Sequence, residues 1–159
     1  MRRRVYLETT IVSYLTARPM RTVVGAAHQQ ITLDWWEGRR HAFDLVVSEA
    51  VIREAERGDP DAAKRRLAAL RGIPRLALTG EALRLAEGFM GRGLLPRKAA
   101  EDGLHIAVAT VHKVDYLLTW NCAHIANPEL QAKLAEYLVE REFFLPFICT
   151  PEELLGAEQ

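Results

Sequence analysis

The chain has 159 residues, a length that suits one domain and can bury roughly two-thirds of the surface an unfolded chain exposes. Apolar residues make up 49% and charged residues 26%, an ordinary globular balance that argues against intrinsic disorder. Lys and Arg total 21 and so do Asp and Glu, so bulk charge does not draw this chain onto nucleic acid or acidic lipid. Any such role has to come from the placement of charge.

In chain order, residues 4–7 read as a short buried strand that ends at Glu8. Thr9 and Thr10 lead into a helix with Ile11, Tyr14 and Leu15 on one face, broken at Arg18-Pro19. A second helix is expected from 22 to about 38. A β-rich apolar run follows at 43–47, and Ser48 is a natural cap for the next helix. Gly58-Asp59-Pro60 ends that helix and starts another, with Asp59 as cap and Pro60 in the first helical position. Residues 75–78 are a weaker strand and 80–91 a helix. Pro96 opens an Ala-rich helix to about 113, and 115–119 is a strand. Asn127-Pro128 caps a helix to about 141, 147–149 is a last strand, and Thr150-Pro151-Glu152-Glu153 is a capping box that opens a final short turn.

Strands alternate with helices throughout, and the strand runs are continuously apolar. That pattern belongs to a parallel sheet covered on both faces. The expected fold class is α/β, a three-layer α/β/α sandwich with a mostly parallel sheet of about five strands. Ligands in such folds bind beyond the carboxyl ends of the strands, which singles out Glu8, Ser48, Thr79 and the stretch from Thr119 to Asn121.

Two cysteines, Cys122 and Cys149, make no disulfide framework and fit a reducing compartment. Met1-Arg2-Arg3-Arg4 looks like the charged start of a secretory signal, but Glu8 interrupts the apolar run that should follow. No stretch reaches the ~18 apolar residues of a membrane span. A cytoplasmic location is expected, with no membrane partner.

Three acids stand out. Glu8 follows the first strand, where it is either a helix N-terminal charge or a site residue. On a wheel at ~100° per residue, Glu49, Arg53, Glu56 and Arg57 share one side of the helix after Ser48, while Ala50, Val51 and Ala55 lie opposite. Glu54 falls between Ala50 and Val51, on the apolar face. An unpaired carboxylate there costs several kcal/mol, so a buried partner, a proton or a metal must answer it. Asp102 sits at the edge of the polar side of its helix, a side defined by Lys98, Glu101, His105 and His112. It reads equally as a ligand or a surface acid. Three carboxylates from three segments suit a hard cation, Mg²⁺ or Mn²⁺. Zinc is disfavoured, since no His-x-x-x-His and no paired cysteines occur.

These residues resemble the PIN domain, and within it the VapC-like toxins of prokaryotic type II toxin–antitoxin systems. Four segments carry the likeness. Val5-Tyr6-Leu7-Glu8-Thr9-Thr10 looks like the opening strand with its acid and hydroxyl residues. Val47-Ser48 with Glu54 looks like the second motif. Asp102-Gly103-Leu104-His105-Ile106-Ala107 looks like the third, commonly Asp-Ala-Leu-Ile/His-Ile/Ala-Ala in the family. Tyr116-Leu117-Leu118-Thr119-Trp120-Asn121 looks like the fourth, a strand ending in Leu-Thr-x-Asn/Asp. The resemblance implies a single PIN-like domain over 1–159 and metal-dependent endoribonuclease activity. Glu8, Glu54 and Asp102 would be the metal residues, with Mg²⁺, or Mn²⁺, as cofactor. Asn121 would take the fourth polar position of the catalytic set, and Thr9 or Thr119 would hydrogen-bond nearby acids or the phosphate. A homodimer and a small antitoxin that wraps over the groove are implied partners, with RNA as substrate.

Two departures from the family pattern matter. The first acid is usually Asp and here is Glu8, and the fourth position is Asn121 rather than an acid. Each leaves room for a weakened site. Two further readings therefore stand beside the toxin: a PIN fold that only binds RNA or protein, and a housekeeping RNA-processing nuclease.

Among the basic clusters, Arg97 and Lys98 are the best candidates for phosphate contact, because they begin the Asp102 helix. His105 reads as a helix-surface histidine, Cys122 as a small buried thiol, and Trp35-Trp36 as core or interface. No P-loop and no dinucleotide fingerprint occur.

Overall fold

Side-chain caps set most of the helix starts. In the computed structural model, which describes residues 1–156, the chain opens with β1 (Arg4–Leu7), α1 (Thr9–Thr16) and α2 (Val23–Gly38). Then come β2 (Asp44–Ser48), α3 (Glu49–Ala55), α4 (Pro60–Ala69) and β3 (Arg75–Leu76). The remainder is α5 (Gly80–Gly91), α6 (Ala100–Val111), β4 (Tyr116–Leu118), α7 (Pro128–Val139) and β5 (Phe147–Cys149). Ser48, Asp59, Thr79 and Asn127 each accept a backbone N–H of the first helical turn, satisfying donors that a helix start leaves unpaired. Gly58 sits at φ 82°, a left-handed conformation that suits glycine, and so separates α3 from the Asp59-Pro60 start of α4.

Two elements depart from the sequence reading. The strand expected at 75–78 stops after Leu76, because the Ala77 carbonyl accepts Thr79 N–H at 3.1 Å and faces His112 Nε2 at 2.9 Å instead of a strand. The helix expected from Pro96 begins as a single 3₁₀ turn, Arg97–Ala99, and becomes α-helical at Ala100. The capping box at Thr150 forms as expected, with Thr150 N–H and its hydroxyl 3.0 and 3.1 Å from Glu153 Oε1, and it opens the final short turn.

The five strands are parallel and lie in the order β3-β2-β1-β4-β5. The chain therefore steps outward from β1 to β3 and then returns to the other side of β1. Right-handed crossovers in opposite directions place helices on both faces, giving the three-layer α/β/α sandwich expected from the sequence. The reversal also opens a crevice between β1 and β4 at their carboxyl ends, where the first strand gives way to Glu8 and the fourth to Thr119.

The core is built on the central strands. Val5, Tyr6, Leu7, Leu117 and Leu118 are within 1% of full burial, joined by Trp35, Phe89 and Ile106 from the helices. Trp35 thus serves the core. Small residues on α6 (Gly103, Ala107, Ala109) allow it to pack closely against α5. Truncating Leu117 to Ala should destabilise the fold by about 2–5 kcal/mol, the range for buried leucines. Phe147→Ala, at a position 74% exposed on edge strand β5, should change stability by only about 0.5 kcal/mol. Urea titrations of the two variants check this; equal losses would mean that the core is misplaced.

Candidate functional site

Parallel strands deliver all their carboxyl ends to one edge of the sheet, so the residues that follow β1, β2 and β4 meet there. Glu8 comes first. Its N–H bonds the Leu118 carbonyl at 3.1 Å, which extends the β1–β4 pairing by one residue. Its side chain then turns back to cap α1. Oε2 accepts Thr10 N–H at 3.1 Å, and Oε1 accepts the hydroxyls of Thr10 and Thr119, both at 2.6 Å. The residue is 3% exposed. A carboxylate can be buried so deeply only when donors replace its water, and three do so here. The helix-cap reading of Glu8 holds, and the same carboxylate lies at the crevice.

Glu54 enters from α3. The wheel reading holds: Ala50, Val51 and Ala55 are buried, while Glu49, Arg53, Glu56 and Arg57 are exposed. What answers the Glu54 carboxylate is a buried partner, His105, whose Nε2 bonds Glu54 Oε1. Here the sequence reading needs correction. His105 is not on the polar side of its helix but 0% exposed. Apart from Thr110, whose hydroxyl donates to the Ile106 carbonyl, this ring is the one polar side chain among the buried residues of α6, and it fits because both its nitrogens are bonded. Nδ1 lies 2.7 Å from the Tyr6 hydroxyl, which lies 2.7 Å from Ser48 Oγ.

Among the described residues, Glu8, Glu54 and His105 are the one group of potential metal-binding side chains whose ligand atoms all lie within 4.8 Å of each other. Asp102 is not part of that group. Its side chain is 22% exposed in the first turn of α6, with Oδ2 3.3 Å from His124 Nδ1. Electrostatics still tie it to the cluster. Burial pushes the Asp102 carboxyl above its ordinary range, and Glu54 adds to this, against the opposing pull of Asn121, His105 and His124. Burial also raises Glu54, but the His105 hydrogen bond and charge outweigh it and hold Glu54 below its ordinary value. For His105 burial disfavours the charged ring, yet the Glu54 carboxylate prevails and lifts its pKa.

The remaining expected residues have varied places. The Thr119 hydroxyl bonds Glu8 and also accepts Asn121 N–H at 3.0 Å. Thr9 is buried with a hydroxyl that makes no hydrogen bond, close enough to Glu54 to help hold its charge. Asn121 pins the turn after β4, its Oδ1 accepting His124 N–H at 3.0 Å. Arg97 and Lys98 are exposed on the 3₁₀ turn before α6 and make no ion pair among the described residues. Cys122 is exposed, not the buried thiol expected; it lies on the turn, whereas Cys149 is the buried one.

Sequence reasoning missed Tyr6 and His105. A signal was present. Tyr6 lies on a wholly buried strand and its hydroxyl needs a partner, and His105 shares a helix face with Asp102 three residues earlier.

Because Glu54 is depressed, its contribution to stability is present above its ordinary 4.5 and lost as pH falls through the folded value. Because His105 is raised, its contribution is complete below 6.5 and lost as pH rises through the folded value. In chelator, the melting-temperature gap between wild type and Glu54→Gln should therefore be widest between about pH 5 and 6.5 and narrow on both sides. A gap that stays flat from acid to alkaline pH would show that the pair does not titrate as a unit.

No family model and no curated protein matches the chain. Solved structures do. VapC20 of Mycobacterium tuberculosis, a toxin that cleaves the sarcin–ricin loop, is 15% identical, with 76% of this chain and 92% of that chain covered and a TM-score of 0.59. A chain of VapBC2 from Rickettsia felis, whose structure holds a DNA fragment from its promoter, is 13% identical, with 92% and 98% covered and a TM-score of 0.57. The fold is thus the VapC-like PIN fold to which the sequence motifs point.

Proposed function

We propose that this chain is a metal-dependent endoribonuclease, one PIN-like domain over 1–159 that acts as the toxin of a type II toxin–antitoxin pair. One observation carries the reading: two carboxylates from separate elements, Glu8 and Glu54, converge at the crevice between β1 and β4, with Asp102 beside them. Like charges gathered this way are costly unless something positive is to be held. The likeness to VapC20, itself a ribonuclease toxin, and to VapBC2 supports the same reading at the level of fold.

The donor set suits a hard cation. Glu8, Glu54 and Asp102 offer oxygens only, and Glu8 Oε2 accepts a single hydrogen bond, so it retains a lone pair. The raised Asp102 carboxyl is the group whose ionised form a cation would favour most. These three residues would hold Mg²⁺ or Mn²⁺, and such an ion acidifies a bound water and screens the scissile phosphate. The chain's own residues fix the rest. Thr10 and Thr119 keep Glu8 aimed at the crevice. Asn121 holds the turn that carries His124 against Asp102. A carboxylate not fully used as a ligand would accept the proton of the attacking water. Arg97 and Lys98, free of internal ion pairs among the described residues, are available to RNA phosphates. RNA, a cognate antitoxin and a second copy of the chain are the proposed partners. Among the described residues no helix is long and apolar enough to cross a membrane; the proposed location is the cytoplasm.

The test is cleavage of a structured RNA pool with Mg²⁺, Mn²⁺ or EDTA, beside Glu8→Gln and Asp102→Asn. Metal-dependent cutting is expected, falling in both variants to the level seen in EDTA. Cutting that persists in the variants would point to a contaminating nuclease. Metal binding without cutting would favour the binding-module reading, which the use of Asn121 as a neutral turn residue supports. Dependence on an antitoxin encoded alongside separates the toxin from a housekeeping nuclease.

A further inference from the structure

His105 stands within reach of the acid cluster, yet neither of its ring nitrogens is free. Nε2–H donates to Glu54 Oε1 and Nδ1 is engaged by the Tyr6 hydroxyl at 2.7 Å. The Tyr6 oxygen in turn meets Ser48 Oγ at 2.7 Å, and Ser48 Oγ accepts Val51 N–H at 3.4 Å at the start of α3. Every member except Glu54 is buried: Tyr6, Ser48 and His105 are each 0% exposed. The line thus begins at the first turn of α3, passes through β1 and α6, and returns to α3 at Glu54.

Proton bookkeeping gives the line a direction. The ionised Glu54 carboxylate can only accept, so His105 Nε2 carries a proton; in the neutral ring Nδ1 then accepts, and Tyr6 Oη, donating to it, accepts the Ser48 proton. If Nδ1 is also protonated, Tyr6 and Ser48 reverse, and Nε2–H still points to Glu54. In either state one carboxylate oxygen of Glu54 is held and the other is left open. A buried Tyr-His-Ser line is a costly way to fill a core that apolar side chains could fill.

We infer that His105, oriented by Tyr6, is a positioning residue: it is not a metal ligand but holds the Glu54 carboxylate in register with Glu8 for a divalent cation. The inference rests on the proposed metal site. Partners that orient ligating groups in this way typically contribute roughly 10–100-fold to metal affinity.

The test is Mn²⁺ binding to the full chain, by calorimetry and by the electron paramagnetic resonance spectrum of bound Mn²⁺, with folding checked by thermal melts. His105→Met should weaken Mn²⁺ binding roughly 10–100-fold, and His105→Gln, which keeps an amide donor near the Nε2 position, should recover most of it. Tyr6→Phe removes one hydroxyl and keeps the ring, so it should stay folded and still lose several-fold in affinity; it carries the test if His105→Met fails to fold. Altered melting with unchanged Mn²⁺ affinity in Tyr6→Phe and His105→Gln, and in His105→Met where it folds, would overturn the inference and leave the line a purely structural one. Loss in both His105 variants alike, with Tyr6→Phe unaffected, would overturn it too, by making His105 itself a ligand. Glu54→Gln separates the two levels. If it binds Mn²⁺ as wild type does, the metal-site reading itself fails; if it alone loses binding, only the role of His105 and Tyr6 fails.

Discussion

Two carboxylates face each other at the carboxyl ends of β1 and β2, and everything around them serves to hold them there. At a separation within 4.8 Å, two full charges repel by on the order of 3–4 kcal/mol at an effective dielectric of ~20. The fold meets that repulsion with donors placed by backbone geometry. Thr10 is available because α1 starts immediately after Glu8, and Thr119 because β4 ends level with β1. His105 is available because the small residues of α6 let that helix pack deep. Charge-assisted hydrogen bonds of this kind contribute about 1.5–3 kcal/mol each, and those on Glu8 and Glu54 stand against that repulsion.

The choice of Glu rather than Asp at position 8 has a local reason in this geometry. The same carboxylate has to reach two places: the Thr10 N–H of the helix it caps and the Thr119 hydroxyl at the end of the neighbouring strand. The second reach crosses the strand pairing. The extra methylene allows the side chain to span both while one face of Oε2 stays open. The departure from the family motif is thereby matched by a second residue, Thr119, whose hydroxyl also fixes the backbone of Asn121. Strand end, helix cap and crevice wall are set by one small network, and altering any member disturbs the other two.

The fold was readable in the sequence because its signals are local. Continuous apolar runs, capping residues and the Gly58-Asp59-Pro60 break each act within a few positions, and they fix element order and hence a parallel sheet. The Glu54 anomaly was readable for the same reason, since a carboxylate among Ala50, Val51 and Ala55 violates a local pattern. Its resolution was not, because the partner lies 51 positions away. Polarity misled at His105 in particular. A histidine among Lys98, Glu101 and His112 looks solvated, and only the Tyr6 hydroxyl waiting in a buried strand reveals that the ring turns inward. The edge strand β3 was overextended for a similar reason: nothing in residues 75–78 themselves shows that His112 lies against the Ala77 carbonyl.

The balance of charge at this edge of the sheet differs between its two halves. Glu8 and Glu54 are supplied with donors, whereas Asp102 is half-buried with weaker support, a histidine at 3.3 Å and an amide committed partly to its own turn. Desolvation is therefore left least compensated at Asp102, whose carboxyl is the one pushed upward on balance. An incompletely satisfied carboxyl beside two well-satisfied ones is a poor arrangement for stability alone, because Asp102 could be capped as cheaply as Glu8 is. It makes physical sense where a further positive group completes the set. The two satisfied acids then hold their positions before that group arrives, and the third gains most from its arrival.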